Sequence, residues 1–282
     1  MGQRIFLTLG RGMVDKKKIN EIKLAVLDMC ANAGVGHVTS AFSCADVVSV
    51  LYYEIMKINP LIFAKGERDY FVMSKNHASV ITYPILKDLG YIDKNAKFLE
   101  NGSHLGIHTK LGLSGVDFCG GSLGIGLGFA CGIALGLKRD NKDNLVFCII
   151  GDGECYEGSI WESLLFAGSN ELDNLIVIID KNRLCITDFI DKMLTFESLS
   201  EKMKSFNFEV RNINGHDLNE IRNALSDVRT RQGKPLCVIA NTNKGNGVSF
   251  LENQPLWHGK APTKEDYIRA RNELLENING CK

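Results

Sequence analysis

The chain has 282 residues, of which 45% are hydrophobic and 23% charged, a balance that is ordinary for a soluble globular protein and allows a sizeable core. Its 33 basic and 33 acidic residues cancel, which argues against a nucleic acid or a membrane surface as the main partner. The nine cysteines are scattered without a CxxC pair and the N-terminus lacks a signal-peptide core, so a reduced, cytoplasmic compartment is expected.

The predicted elements alternate between helices and strands along the chain. In order they are a helix over 20–32, a helix over 43–57, a short strand over 68–74, a helix over 77–87, a helix rich in small residues within 120–138, a strand over 144–150, a helix over 157–169, strands over 174–180 and 207–213, a helix over 217–231, a strand over 235–241 and a charged helix over 263–277. Ser43 with Asp46 three positions later approximates a capping box, and Pro84 is expected to kink its helix or mark a boundary.

The strands over 144–150 and 174–180 are apolar throughout instead of alternating with polar residues. Such strands, separated by helices, indicate a parallel sheet that is covered by helices on both faces. No internal repeat, low-complexity tract or linker interrupts the pattern, so a single domain over residues 1–282 is expected. The predicted fold class is α/β with a mostly parallel sheet.

Polar side chains follow two of these strands at the point where each strand ends. Asp152 comes after the first strand, and Asn182 follows the next, 30 positions later. Ligands of parallel sheets bind beyond the carboxyl ends of the strands, and carboxylate and amide oxygens suit Mg²⁺ or Ca²⁺ better than zinc. Gly151 and Gly153 would let the backbone approach a phosphate. The pattern predicts a metal–diphosphate site; the alternative is a simple turn followed by a loop residue that caps a strand.

Seven blocks of sequence, in this order, resemble transketolases, which use thiamine diphosphate. The blocks are "GHVTSAFSCADVVSVLYYEIM", "RDYFVMSKNHAS", "SGVDFCGGSLGIGLG", "GDGECYEGSIWES", "DKNRLCITD", "NKGNGVSFLEN" and "WHGKAP". The resemblance covers nearly the whole chain and implies the thiamine-diphosphate-binding fold, in its diphosphate-binding domain.

The resemblance also implies which residues hold the cofactor and its metal ion. The metal, Mg²⁺ or Ca²⁺, would be bound by Asp152, Asn182 and Leu184. Cofactor contacts are implied for His77, Gly121, Ser122, Leu123, Gly151, Asp152, Gly153, Glu154, Asn182 and His258. His77 begins a predicted helix, where an anion is favoured in any case.

Four of the six histidines fall within or beside these blocks, which is better explained by one polar cleft than by scattered surface positions. By the resemblance, His37, His108 and His258 line a channel to the thiazolium ring and exchange protons with substrate hydroxyls, a task that suits neutral imidazoles. His108 is preferred to His104 because it lies seven residues before the glycine of "SGVD". His216 is expected to help start a helix.

Two acidic residues after the GDG motif, Glu157 and Glu162, are implied to lie near a dimer interface that links two active sites. The alternative is that both are solvated helix positions, one of them favoured by the helix dipole. The glycine-rich helix within 120–138 could be mistaken for a dinucleotide-binding loop, but "SGVDF" is a poor strand to precede one. Its small residues indicate close packing against another helix, across a subunit interface in one interpretation.

In transketolases, the glutamate that protonates the cofactor pyrimidine belongs to a second domain of the other subunit. This sequence ends one helix after "WHGKAP", so the resemblance implies the N-terminal subunit of a split transketolase. It would form an α2β2 assembly with a separate pyrimidine-binding subunit and transfer a two-carbon ketol unit from a ketose donor to an aldose acceptor.

At several positions around the cofactor, the sequence departs from the pattern it resembles. Val38 and Thr109 each follow a histidine where proline is usual, Asn76 and Gly120 replace a glycine and a threonine, and Ile125 replaces a glutamine. These changes are compatible with a sugar or sugar-phosphate substrate from a specialised pathway. Two alternatives remain open: a thiamine-dependent carboligase acting on a 2-keto acid, which would need the histidines less, and a non-catalytic cofactor-binding scaffold subunit.

Overall fold

The computed structural model describes residues 12–60, 68–186, 188–194 and 198–280, so residues 1–11, which bear on the signal-peptide expectation, lie outside it. The described helices are α1 (Lys16–Ala33), α2 (Val38–Ser43), α3 (Ala45–Val50), α4 (Thr82–Asp88), α5 (Ile125–Arg139), α6 (Gly158–Ser169), α7 (Leu199–Ser205), α8 (Leu218–Leu225) and α9 (Lys264–Gly280). The described strands are β1 (Tyr70–Met73), β2 (Val146–Gly151), β3 (Leu175–Lys181), β4 (Leu184–Cys185), β5 (Asp188–Phe189), β6 (Glu209–Asn214) and β7 (Leu236–Asn241).

Five strands form one parallel sheet in the order β1-β2-β3-β7-β6. Every residue of β2 is buried, which explains its uninterrupted apolar sequence. Phe147 and Ile149 pack into one hydrophobic cluster with α1, α3 and α4, whereas Val146, Cys148 and Ile150 pack into another with α5 and α6. The sheet is therefore covered by helices on both faces, and the predicted α/β fold class is confirmed.

The segment over 43–57 differs from the single helix that was predicted. Helix α2 begins at Val38, the chain changes direction at Cys44, and α3 is followed by a π-helical turn over Leu51–Ile55. Ser43 does not cap a helix: its hydroxyl donates to the carboxylate of Asp180 at the end of β3. The break brings this hydroxyl to the carboxyl edge of the sheet, and since α2 and α3 are buried on all sides, no amphipathic period marked it.

Other differences are smaller. The helix predicted over 77–87 is a 3₁₀ turn over Asn76–Ile81 that continues as α4, with Pro84 in the first turn of α4, so Pro84 marks a boundary. Helix α8 is shorter than predicted and is capped by Asp217, whereas the ring of His216, just before it, accepts a hydrogen bond from the Asn243 N–H. The β4–β5 hairpin and α7 were not predicted. None of the described helices is long and apolar enough to cross a membrane.

Candidate active site

Asp152 and Asn182 lie side by side at the carboxyl edge of the sheet because β2 and β3 are neighbours. The carboxylate of Asp152 accepts hydrogen bonds from the N–H groups of Gly153 (2.9 Å) and Arg183 (2.6 Å), the residue next to Asn182. The amide oxygen of Asn182 accepts from the Leu184 N–H at 3.1 Å. The predicted metal-binding positions therefore lie on two adjacent turns, one after β2 and one after β3, which are joined by the bond between Arg183 and Asp152.

The environment of Asp152 suits a cation. The residue is 3% exposed, and burial together with Asp180 raises the pKa of its carboxyl group to about 7. Within the described ranges, no cluster of three or more His, Cys, Asp or Glu side chains could hold a metal by itself. A metal at Asp152 would need the mixed oxygen set of Asp152, Asn182, the backbone of Leu184 and a ligand, which suits Mg²⁺ or Ca²⁺.

Close to Asn182, the buried carboxylate of Asp180 connects four segments of the chain, namely α2 and the segments that follow β1, β3 and β7. It accepts hydrogen bonds from the hydroxyls of Ser43 (2.7 Å) and Thr242, from the amide of Asn182 (3.2 Å) and from the ammonium of Lys75. Burial opposes the charge of both partners, but the ion pair lowers the pKa of Asp180 and raises the pKa of Lys75. Sequence reasoning missed this network. The only sign of it in the sequence is a charged residue near the end of each of two strands, Lys75 after β1 and Asp180 in β3.

Two further buried polar residues near Asp180 lack a partner of the kind they need. Lys244 has no carboxylate and Ser40 has no hydrogen-bond partner among the described residues. Lys244 is 2% exposed, its Nζ lies 2.8 Å from Nδ1 of His258, and no carboxylate among the described residues pairs with it. Burial, together with Lys75, lowers the pKa of Lys244 to about 8. The buried hydroxyl of Ser40 has no hydrogen-bond partner among the described residues. A buried ammonium without a carboxylate and a buried hydroxyl without a partner both fit an anionic ligand, because burying such groups uncompensated is costly. Neither residue was predicted.

Three of the predicted histidines form a triangle. The ring centroids of His37, His77 and His258 lie 5.2, 5.3 and 5.5 Å apart. Burial and nearby positive charges lower the pKa of His37 to about 4 and that of His258 to about 3, and also lower the pKa of His77. All three rings are therefore neutral at pH 7, and each offers one nitrogen that donates a hydrogen bond and one that accepts.

The fourth predicted histidine approaches this triangle from a separate loop. The ring of His108 lies 3.3 Å from where a Cβ on Gly121 would stand, and after burial His108 is the next largest cause of the lowered pKa of His37. His104 instead lies in a different surface groove with Lys97. The structure thus brings His108, and not His104, toward the other predicted site residues.

The two glycine loops of the site are tied together by Glu154. Its carboxylate, 2% exposed, accepts hydrogen bonds from the N–H groups of Gly124 (2.9 Å) and Gly151 (3.0 Å) and from the hydroxyl of Ser74 (2.5 Å). The side chain of Glu154 is therefore held by three hydrogen bonds within the protein, and its contact with the cofactor stays a prediction. The loop residues Gly121 and Ser122 are exposed and Leu123 is half-buried.

Glu157 and Glu162 are exposed, and no described contact joins them to the histidine triangle. Glu157 lies beside Gly124, which precedes α5, and Glu162 is on α6. Both helices carry exposed apolar side chains, which together form an apolar surface. We call this surface the α5–α6 face; its exposed large side chains are Ile125, Phe129, Leu165 and Phe166.

Comparison with known proteins finds relatives along almost the whole chain. Residues 14–277 match a family model described as transketolase, thiamine diphosphate binding domain. The chain is 36% identical over 258 residues to the 6-deoxy-6-sulfo-D-fructose transketolase subunit SqwG of Clostridium sp. (strain MSTE9), which covers 90% of this chain and 94% of that protein. It is 34% identical over 255 residues to one of the subunits of the apulose-4-phosphate transketolase of Phocaeicola vulgatus, with 90% and 91% covered.

Longer transketolases match over less of their own length. The crystal structure of transketolase from Campylobacter jejuni superposes with a TM-score of 0.82 at 29% identity and covers 94% of this chain but 43% of that one. Mouse transketolase is 34% identical over 271 residues, with 95% of this chain and 43% of that protein covered. The chain thus spans less than half of these proteins but nearly all of the relatives named as subunits.

Proposed function

Because this chain belongs to the transketolase family and matches its thiamine diphosphate binding domain, we propose that it is the diphosphate-binding subunit of a two-subunit transketolase. It holds thiamine diphosphate with Mg²⁺ or Ca²⁺ and, with a separate pyrimidine-binding subunit, transfers a two-carbon ketol unit from a ketose to an aldose. The existence of a separate partner subunit is supported by relatives named as transketolase subunits, which match 90–93% of this chain and 91–95% of their own length. We take residues 1–282 as one such domain.

One observation carries the proposal: unpaired groups of opposite charge lie together in a buried site. Asp152 accepts hydrogen bonds only from backbone N–H groups and Lys244 contacts His258, and among the described residues neither forms an ion pair. The two groups are close enough for the charge of Asp152 to act on the pKa of Lys244. A divalent cation bound to a diphosphate supplies a partner for both at once. Glycine at position 153 allows the turn after β2 to lie close to Cys185, since a Cβ there would stand 3.0 Å from the Cys185 side chain.

The residues of this chain would bind the cofactor and its metal ion, orient the substrate and exchange protons with it. When bound, thiamine diphosphate supplies the carbon nucleophile and the electron sink of the reaction. Asp152, Asn182 and the backbone of Leu184 would hold the metal, and Lys244 and Ser40 would donate to diphosphate oxygens. His37 and His258, both neutral at pH 7, would accept and return the protons of substrate hydroxyls.

The substrate class that we propose is a ketose that carries an anionic group. Two relatives bear names that specify a sulfonated fructose and apulose 4-phosphate, both anionic sugars. Within the described residues, every cysteine is a free thiol, which supports the reduced, cytoplasmic location that we propose for the enzyme.

We propose that the α5–α6 face is buried in the assembly. Four exposed large apolar side chains on two adjacent helices favour a protein partner over water. Glu157 directly precedes α6 and Glu162 is on it, so they would lie at a subunit interface, and an α2β2 assembly would bury the face in both copies. Light scattering of the mixed subunits would test this stoichiometry.

The test of the proposed function is a two-carbon transfer assay with both subunits, Mg²⁺ and thiamine diphosphate, using anionic ketose donors and short aldose acceptors. We expect transfer only when both subunits are present, and loss of transfer in His37→Ala and His258→Ala. If a 2-keto acid were decarboxylated and ligated with these variants still active, the carboligase alternative would replace the proposal. Cofactor binding without any transfer would favour the scaffold alternative.

A further inference from the structure

Two buried polar side chains near the histidines, Asn76 and Thr109, bind each other reciprocally. Asn76 is 1% exposed and Thr109 is 3% exposed. The Asn76 amide Nδ2 donates to the Thr109 hydroxyl at 2.8 Å, and the Asn76 Oδ1 accepts from the Thr109 N–H at 2.8 Å. The Asn76 side chain thus binds both the side chain and the backbone N–H of Thr109, which lies 33 positions away in the sequence.

The same pair reaches two further backbone groups. Nδ2 of Asn76 lies 3.3 Å from the carbonyl oxygen of Met73, at the end of β1, and the Thr109 hydroxyl donates to the carbonyl of Phe118 at 2.6 Å. Every hydrogen-bonding group of both side chains is therefore used. The pair connects the end of β1, the turn of Asn76 and the loop that leads into Gly121.

From these contacts we infer that Asn76 and Thr109 are positioning residues, which fix the loop carrying His108 against the turn carrying His77. Each member of the pair is the direct chain neighbour of one of these histidines. The inference rests on the proposed function and on the roles that the resemblance implies, which are a cofactor contact for His77 and a substrate contact for His108. Because the loop around His108 has neither helix nor strand, side-chain bonds must set its position.

Asn76 and Thr109 depend on each other. In the transketolase pattern that the sequence resembles, glycine stands at position 76 and proline at position 109, and either replacement alone removes both bonds between the two residues. Glycine at position 76 has no side chain to bind Thr109, and proline at position 109 has no N–H to donate. Asn76→Gly leaves a buried N–H of Thr109 without an acceptor, and Thr109→Pro leaves a buried oxygen of Asn76 without a donor. In the double variant, neither of these groups is left over.

Hydrogen exchange measured by mass spectrometry tests the pair in this chain alone. We expect the peptide over 104–112 to exchange at least about tenfold faster in Asn76→Gly and in Thr109→Val, because each variant breaks a bond that holds the loop. Thr109→Ser keeps both bonds and should exchange like the wild type. Ser79→Ala is the matched control, since the buried Ser79 hydroxyl in the same turn has no partner among the described residues. Unchanged exchange in Asn76→Gly would overturn the inference.

Kinetics of the assembled two-subunit enzyme separate positioning from general damage. We expect kcat/KM for the sugar to fall about tenfold in Asn76→Gly while the Kd for thiamine diphosphate with Mg²⁺ changes less than about twofold, and Thr109→Ser to keep both values. The stability loss of Asn76→Gly/Thr109→Pro should be smaller than the sum of the two single losses. Equal losses in cofactor affinity and in kcat/KM would overturn the positioning role. Failure of the wild type to transfer any ketol unit would instead count against the proposed function, while the exchange experiment still decides the pair.

Discussion

The ion pair between Asp180 and Lys75 makes a prediction whose size follows from its burial. Both side chains are 2% exposed, so Asp180→Asn would leave the Lys75 ammonium without a counter-charge in the protein interior. Breaking a buried pair in this way typically costs about 3–5 kcal/mol. The hydroxyls of Ser43 and Thr242 would also lose a charged acceptor. We therefore expect a loss of about 4 kcal/mol in the free energy of unfolding.

This loss should be visible in thermal unfolding. At about 2.1 cal/mol/K per residue, the unfolding entropy of 282 residues is roughly 0.6 kcal/mol/K, so about 4 kcal/mol lowers Tm by roughly 7 °C. Lys75→Met should cost a similar amount, because it leaves the Asp180 carboxylate unpaired. The double variant Lys75→Met/Asp180→Asn should lose clearly less than the sum of the two singles. Calorimetry and urea denaturation of the four proteins measure this; a loss below about 1 kcal/mol in Asp180→Asn would refute the reasoning.

The remaining predictions concern the ligands. Asp152→Asn should weaken Mg²⁺-dependent binding of thiamine diphosphate at least about tenfold while leaving the stability of the ligand-free chain equal or higher, since burial already opposes that charge; calorimetric titration and thermal unfolding check both. Burial, together with Asp180, raises the pKa of Asp152 to about 7, so metal binding below pH 7 requires that Asp152 lose a proton. Burial lowers the pKa of Lys244 to about 8, so anion binding above pH 8 requires proton uptake. Affinity for thiamine diphosphate with Mg²⁺ should therefore be highest between about pH 7 and 8 and fall by up to about tenfold per pH unit on either side. Lys244→Met should bind weakly and should lack the loss of affinity above pH 8. Glu154→Gln should weaken cofactor binding, because the carboxamide cannot accept from both Gly124 and Gly151; equal affinity would contradict its role in tying the two loops.

The features that could be predicted from the sequence are those that follow from the apolar pattern of the strands and from the order of elements along the chain. The apolar runs of β2 and β3 predicted a parallel sheet, and the positions of Asp152 and Asn182 followed because each directly succeeds a strand. The break at Cys44 could not be predicted in this way, because α2 and α3 are buried on every side and show no polar face. The two-residue strands β4 and β5 are too short to show any period.

Contacts between distant residues lay outside what local patterns reveal. The Asp180 network joins side chains 137 and 62 positions apart in the chain, at Ser43 and Thr242. Each residue alone looks like an ordinary strand-end or loop residue. Glu154 shows the same limit, because its place after the GDG motif gave no sign that its carboxylate accepts hydrogen bonds from two glycine N–H groups. The cofactor contact suggested by that place stays a prediction. The hydrogen-bond partners of these side chains are set by the three-dimensional fold, and the spacing of the residues in the sequence does not reveal them.

The most direct test of the central claim is calorimetric titration of thiamine diphosphate with Mg²⁺ into this chain, alone and mixed with its pyrimidine-binding subunit, using Asp152→Ala as the control. The account predicts binding that requires Mg²⁺, is strengthened by the second subunit and is lost in the variant. Binding that is equally tight without Mg²⁺, or in Asp152→Ala, would contradict the metal–diphosphate site on which the proposed function rests.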